Sequence, residues 1–151
     1  MQVFYTSLDS DSADYALCNQ VIEHDPEPDK VIKEIYRVLK TGGVLFLTAP
    51  QMGRLHGEPY DYYRFTKWGL KHILEKAGFQ IVLMEAHGGF FRALGSHINF
   101  LLAEKGFKNK ILRFLLRAFV IRLNNILFPF LDHIIKFKKD TLGYNVKAIK
   151  E

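Results

Sequence analysis

A polar and aromatic segment, PQMGRLHGEPYDYYRFT, separates two stretches of regular pattern at residues 50–66. It contains His56 and Asp61, and a histidine or carboxylate beside a reacting hydroxyl can act as a general base. Because an imidazole titrates near physiological pH, His56 is the preferred catalytic base and Asp61 is the second candidate. Arg64 has the planar fork that suits carboxylates and phosphates, and its neighbour Tyr63 adds an aromatic contact. The segment is therefore predicted to bind and activate a substrate.

The length of this segment supports the functional interpretation. A long loop in a compact domain is usually functional or disordered, and the aromatic content argues against disorder. One alternative stays open, because Asp61 and Arg64 can instead pair with one another as a structural clip.

The stretches on either side alternate between strand and helix patterns. The helix before residues 44–48 has one apolar face, and Gly42 and Gly43 are predicted to supply its left-handed stop. Residues 44–48 form a continuous apolar run, which is typical of a strand buried on both faces of a parallel sheet. Thr66 is a good N-cap for the next helix, and Gly78 ends it. The pattern predicts strands near 14–19, 43–49, 79–86 and 143–150, helices near 29–40 and 66–77, and helix through most of 90–138.

This alternation predicts an α/β fold with an open, mostly parallel sheet. Ligands in such sheets bind beyond the carboxyl ends of the strands, which places the chemistry after Cys18, after Thr48 and near Ala86. The letters QVFY at residues 2–5 indicate a strand remnant. The chain is therefore predicted to be one N-terminally incomplete domain, residues 1–151, with a helical insertion at 90–139.

Composition limits the class of protein. The 151 residues are 48% hydrophobic, which is enough for one domain with a sizeable core. The formal charge of +5 permits an anionic partner without identifying one. A single cysteine, Cys18, excludes an internal disulfide framework and a thiolate zinc cluster, and no metal site is predicted. The first residues lack the basic and apolar regions of a secretory signal, so a cytoplasmic location is expected.

The insertion contains KNKILRFLLRAFVIRLNNILFPFLDHIIKFKKD, a mixture of large apolar and basic residues. Arg113, Arg117 and Arg122 interrupt the apolar run, and Pro129 would kink it, so a transmembrane helix is not expected. Residues 108–139 instead favour an interfacial amphipathic helix at a membrane surface, or a lid over an apolar acceptor. The alternative is a helical hairpin packed on the domain or on a partner subunit.

Several segments, taken in order, resemble class I S-adenosylmethionine-dependent methyltransferases. DYALCNQVIEHDPEPDKVIKEIYRVLKTGGVLFLTAP is similar to that family's stretch from the fourth to the fifth strand. YDYYRFTKWGLKHILEKAGFQIV resembles the family's next segment, and TLGYNVKAIK resembles its last, antiparallel strand. The resemblance covers about two-thirds of the chain. It implies a Rossmann-like sheet and methyl transfer from S-adenosylmethionine.

The resemblance also implies roles for particular residues. Asn19 and Gln20, after the fourth strand of the family, match residues that line the methionine end of the cofactor. His24 follows on the same turn and is a candidate for substrate binding, although a surface histidine is an equal alternative. The family's glycine-rich loop after the first strand, and its acidic residue after the second, have no counterpart in this sequence. The chain alone is therefore expected to bind the cofactor poorly.

Two classes of function remain. The first is a methyltransferase, or its C-terminal part, that methylates a small-molecule, glycan or lipid-type acceptor. The second is a non-catalytic module of truncated methyltransferase fold that binds a partner or a membrane through its basic apolar insertion. Nucleic acid is not expected as a partner, because the positive charge is concentrated among large aliphatic residues and no strand interleaves basic with aromatic residues.

Overall fold

The computed structural model describes residues 6–104, 110–135, 137 and 139–151. The strand expected at residues 2–5 lies outside this range, as do residues 105–109, 136 and 138 of the insertion. The elements are β1 (Ala13–Asn19), a 3₁₀ turn (Ile22–His24), α1 (Pro28–Val38), β2 (Leu39–Pro50), α2 (Lys67–Ala77), β3 (Phe79–His87), α3 (Phe90–Glu104), α4 (Lys110–Ile134) and β4 (Gly143–Lys150).

The four described strands form one mixed sheet in the order β1-β2-β4-β3. β1 and β2 are parallel, and Cys18 pairs with Leu47. β4 is antiparallel to β2, with Val146 opposite Leu47. The predicted α/β fold with an antiparallel last strand is therefore confirmed.

The end of α1 differs from the prediction. The helix ends at Val38, and Leu39 is already extended, with φ −67° and ψ 141°. Gly42 does have a left-handed φ of 79°, but it lies within β2 rather than at the helix end. Ala13 pairs with Leu39 and Tyr15 with Val44, so β2 carries extra residues at this point. The glycine therefore allows a bulge in β2, and its prediction as the stop of α1 was wrong.

The expected boundaries of α2 are confirmed. The hydroxyl of Thr66 accepts a hydrogen bond from the amide of Gly69 at 3.1 Å. Gly78 ends the helix with a φ of 104°, and a Cβ there would lie 2.9 Å from the ring of Tyr36. Glycine is required at this position both by its backbone conformation and by this close approach.

The core covers only one face of β2 in the described residues. Leu45, Leu47 and Ala49 are buried there with side chains of α1 and α2. On the opposite face, Phe46 is 42% exposed and Leu17 of β1 is 78% exposed. The prediction of a strand buried on both faces was therefore wrong, because an apolar run does not show whether helices cover both sides.

The chain divides into two compact units. One consists of residues 1–51, 55–85 and 143–151, and the other of residues 52–54 and 86–142. In the second unit, the carboxylate of Asp132 accepts hydrogen bonds from the amides of Phe91 (2.9 Å) and Arg92 (3.0 Å), and thus caps the start of α3. No helix in the described part of the chain has the length and apolar character needed to cross a membrane.

A carboxylate on α1 is expected to make stability depend on pH. Arg37 donates hydrogen bonds to Glu34 at 2.7 and 2.9 Å, and the amide of Thr6 donates at 2.9 Å. These bonds, led by those from Arg37, lower the pKa of Glu34 from 4.5 to about 2. Because the pKa is lower in the folded state, the stabilisation is fully present above pH 4.5 and is lost as the pH falls towards 2.

We expect Glu34→Gln to reduce the loss of unfolding free energy over this acidic range, as measured by urea denaturation at successive pH values. Glu27→Gln is the matched control, because Glu27 is half-exposed in its pair with Lys30. If Glu34→Gln and the parent chain have the same pH profile, the network around Glu34 does not stabilise the fold.

Candidate functional site

The carboxyl ends of β1 and β2 meet at one edge of the sheet, where Asn19 pairs with Thr48. The hydroxyl of Thr48 donates to the side-chain oxygen of Asn19, and its oxygen accepts from the backbone amide (3.1 Å) and side-chain amide (3.2 Å) of Gln20. Gln20 has a φ of 52°, a conformation that residues other than glycine adopt infrequently. The two predicted cofactor-binding residues thus form an exposed polar edge.

The loop between β2 and α2 folds back onto the 3₁₀ turn that follows β1. The backbone amides of Tyr62 and Tyr63 donate to the carbonyl of Glu23 at 2.9 and 3.2 Å. These bonds bring His56 beside His24, with ring centroids 4.7 Å apart and ring planes almost perpendicular. Two histidines that are distant in the sequence therefore share one site.

The orientation of His24 is fixed by the loop. Its Nδ1 lies 2.5 Å from the carbonyl oxygen of Tyr60, so Nδ1 carries the proton and donates it. Gly57 packs against the ring with a φ of 69°, and a Cβ there would lie 3.2 Å from Cε1. The Nε2 lone pair of His24 is consequently available to a ligand.

Asp61 and Arg64 form a bidentate ion pair beside His56. The two terminal nitrogens of Arg64 donate to the two carboxylate oxygens of Asp61 at 2.7 and 2.8 Å. The backbone amide of His56 also donates to Asp61, at 2.9 Å. The hydrogen bonds from Arg64 hold the pKa of Asp61 well below its usual range. The pairing of Asp61 with Arg64 is the structural clip that the sequence left open as an alternative. It makes Asp61 a weak base.

The other predicted substrate-binding residue, Tyr63, uses its hydroxyl within the protein. It donates to the carbonyl of Pro26 at 2.9 Å, while the ring is 39% exposed. The ring face rather than the hydroxyl is therefore the part that can contact a ligand.

Sequence reasoning missed Glu23 as a site residue. Its side chain is fully buried, and neither carboxylate oxygen has a hydrogen-bond partner among the described residues. Burial raises the pKa of this carboxyl above its ordinary value. The signal was present in the sequence, since Glu23 directly precedes His24 on the turn after a strand end.

Comparison with known families gives one match. Residues 2–47 match the family described as "Methyltransferase domain". No curated protein sequence matches the chain.

Solved structures with a similar fold cover nearly the whole chain. The [4+2]-cyclase SpnF aligns with a TM-score of 0.58 and 21% identity over 99% of this chain and 54% of its own. A methyltransferase from Archaeoglobus fulgidus aligns with a TM-score of 0.53 and 18% identity over 95% of this chain and 62% of its own. A third neighbour is the Burkholderia thailandensis 1,6-didemethyltoxoflavin-N1-methyltransferase with bound 1,6-didemethyltoxoflavin and S-adenosylhomocysteine. It aligns with a TM-score of 0.52 and 16% identity over 95% of this chain and 47% of its own. The chain thus spans roughly half of each neighbour.

Proposed function

We propose that this chain, whose fold is similar to that of S-adenosylmethionine-dependent methyltransferases, takes part in methyl transfer to a small-molecule, glycan or lipid-type acceptor. Two neighbouring strand ends carry this proposal. Gln20 after β1 is hydrogen-bonded to Thr48 of β2, and the loop after β2 places His56 beside His24. The cyclase among the neighbours means that the fold alone does not specify the reaction.

The residues present suit one end of the cofactor. Asn19 and Gln20 are exposed polar side chains at a strand end, and they would hold the methionine end of S-adenosylmethionine. When bound, the cofactor supplies an electrophilic methyl group on a sulfonium. The rest of its site, the glycine-rich loop and the acidic residue for the ribose, has no counterpart in this sequence.

The loop would supply the acceptor side. We assign His56 as the base that takes the proton of an acceptor hydroxyl, since its ring is partly exposed and faces His24. The ion pair of Asp61 and Arg64 would orient the imidazole, since Nδ1 of His56 lies 3.5 Å from the carboxylate and 3.4 Å from the guanidinium. The half-exposed rings of Tyr60, Tyr62 and Tyr63 offer apolar contacts for the acceptor. A small-molecule acceptor is supported by the bound compound in the Burkholderia thailandensis neighbour.

Label transfer tests this proposal. A form of the protein extended upstream with a glycine-rich cofactor segment is incubated with methyl-labelled S-adenosylmethionine and pools of small molecules, glycans and lipids. We expect label in one pool, and much less label when Asn19 and Gln20 are both replaced by alanine. Lys71→Ala, on the exposed surface of α2, is the control. No label in any pool would favour the non-catalytic module.

We further infer that α4 contacts an anionic membrane surface. Five of its exposed apolar residues follow one another at spacings of three and four along one face of the helix: Phe119, Leu123, Ile126, Phe130 and Ile134. The sequence from 108 to 139 contains eight Lys and Arg residues and one acidic residue, Asp132. This charge favours anionic lipid over a neutral apolar partner, because each basic residue near such a surface contributes about 1 kcal/mol.

Vesicle co-sedimentation checks this inference. The chain is expected to bind vesicles that contain phosphatidylserine, and to bind them less as the salt concentration rises. Ile126→Ser should weaken binding, whereas Trp68→Ser, an equally exposed position on α2, should not. Equal recovery with neutral and anionic vesicles, or no binding, would leave a packed hairpin or a second subunit as the better account.

A further inference from the structure

We propose that Glu23, His24 and His56 form a binding site for a divalent transition-metal cation, with Zn²⁺ as the preferred ion. Each residue offers one ligand atom, and these atoms all lie within 4.8 Å of one another. Ligands at about 2.1 Å from a tetrahedral Zn²⁺ lie about 3.4 Å apart. A small movement of the side chains would therefore bring the three ligand atoms to these distances from an ion. The side chain of His56 can move in this way because it is 46% exposed.

The strongest evidence for a ligand is the unsatisfied carboxylate of Glu23. A fully buried carboxylate without a hydrogen-bond partner is costly, and such groups are normally paired or bound to a metal. Nε2 of His24 lies 4.0 Å from Oε1 of Glu23, too far for a hydrogen bond but suitable for a shared ion between them. A cation in this gap would satisfy the buried charge.

The surroundings of the two histidines fit metal ligation. Imidazoles that bind metals usually donate their second N–H to a carbonyl or a carboxylate, which fixes the tautomer. His24 has such a partner in the carbonyl of Tyr60 at 2.5 Å. Nδ1 of His56 lies 3.5 Å from a carboxylate oxygen of Asp61 and 3.4 Å from a guanidinium nitrogen of Arg64, so this ion pair fixes the position of the ring. The positive charge of Arg64, which would oppose a cation, is neutralised by its bidentate pair with Asp61.

The donor set determines the class of ion. Two imidazoles and one carboxylate suit Zn²⁺ and neighbouring transition metals, whereas Mg²⁺ and Ca²⁺ prefer oxygen ligands. Three protein ligands leave one position of a tetrahedral ion for a water or a substrate oxygen. A role of the ion in catalysis rests on the proposed function. If the chain takes part in methyl transfer, the ion would lower the pKa of an acceptor hydroxyl. His56 would then act as a ligand in the metal-bound form and as a base only without metal.

Calorimetric titration of Zn²⁺ into the 151-residue chain, without cofactor or acceptor, tests the site directly. We expect one ion per chain, and more than tenfold weaker binding for Glu23→Gln and for His56→Ala. His72→Ala, which removes an exposed histidine on α2, should leave the affinity unchanged. Mg²⁺ at the same concentration should not compete. Glu23→Gln retains the shape of the side chain, and a thermal melt of each variant verifies that it is folded.

Two outcomes would overturn the proposal. One is the absence of stoichiometric Zn²⁺ binding, and the other is binding that Glu23→Gln and His56→Ala leave unchanged. Because the titration needs neither cofactor nor acceptor, its result is independent of methyl transfer. In an active form, persistence of methyl transfer in the presence of a chelator would mean that the ion is structural and leave the proposed function intact.

Discussion

Replacing His56 with alanine is expected to lower kcat by about 10²–10⁴-fold in an active form that contains a cofactor-binding segment, which is the range that a positioned general base contributes. The physical reason is that a hydroxyl acceptor must lose its proton as it is methylated, and His56 is the partly exposed imidazole of the loop between β2 and α2. KM should change much less than kcat, since the base acts mainly on the transition state. Steady-state kinetics with a purified acceptor measure both values.

Controls separate catalysis from folding. His72→Ala changes an exposed histidine outside the site and should have normal kinetics. Asp61→Ala should also lower kcat, through the orientation of His56, once it is assayed at a temperature where the variant is folded. If His56→Ala and Asp61→Ala both turn over normally, the loop is scaffolding, and the acceptor site must be sought near the residues after Ala86.

Removing the carboxylate of Asp61 is expected to destabilise the first unit by about 2–3 kcal/mol, the usual effect of deleting a buried, charged hydrogen-bond acceptor. The side chain of Asp61 is 1% exposed and that of Arg64 is 23% exposed. In Asp61→Ala the guanidinium of Arg64 would lose both of its hydrogen bonds to the carboxylate, and the amide of His56 would lose its acceptor. Urea denaturation measures the change in unfolding free energy.

The matched control for this effect is Glu27→Ala, which breaks an exposed ion pair with Lys30 that has the same sequence spacing and the same 2.7 Å separation. This change should stay within about 1 kcal/mol, because exposed pairs contribute little. The double variant Asp61→Ala/Arg64→Ala should recover part of the loss, because it also removes the positive charge that the carboxylate balanced. Equal, small effects of Asp61→Ala and Glu27→Ala would mean that the pair does not hold the loop.

Local signals in the sequence were enough to predict most of the elements. Thr66 and Gly78 define α2 through backbone hydrogen bonds and a left-handed residue, both of which depend on a few neighbouring residues. Gly42 also has the expected left-handed conformation, but a glycine does not indicate whether it ends a helix or allows a bulge. Likewise, the apolar run of β2 indicates a strand without showing which face is covered.

The site was predictable in part. The polarity and length of the loop drew attention to His56 and Asp61, and their distance of 3.5 Å agrees with a shared site. The proximity of Glu23 to His56 was not predictable, because it depends on the loop folding back so that the amides of Tyr62 and Tyr63 bond to the carbonyl of Glu23. No periodic pattern in the sequence encodes such a contact.

The most direct test of the central claim is calorimetric titration of S-adenosylmethionine into two forms of the protein, the 151-residue chain and a form extended upstream with a glycine-rich cofactor segment. If the chain contributes the acceptor side and only the methionine end of the cofactor site, the short form should bind weakly or without detectable heat, and the extended form should bind. Replacing Asn19 and Gln20 together by alanine should weaken binding in the extended form. Micromolar binding by the short chain, or no binding by the extended form, would contradict the account.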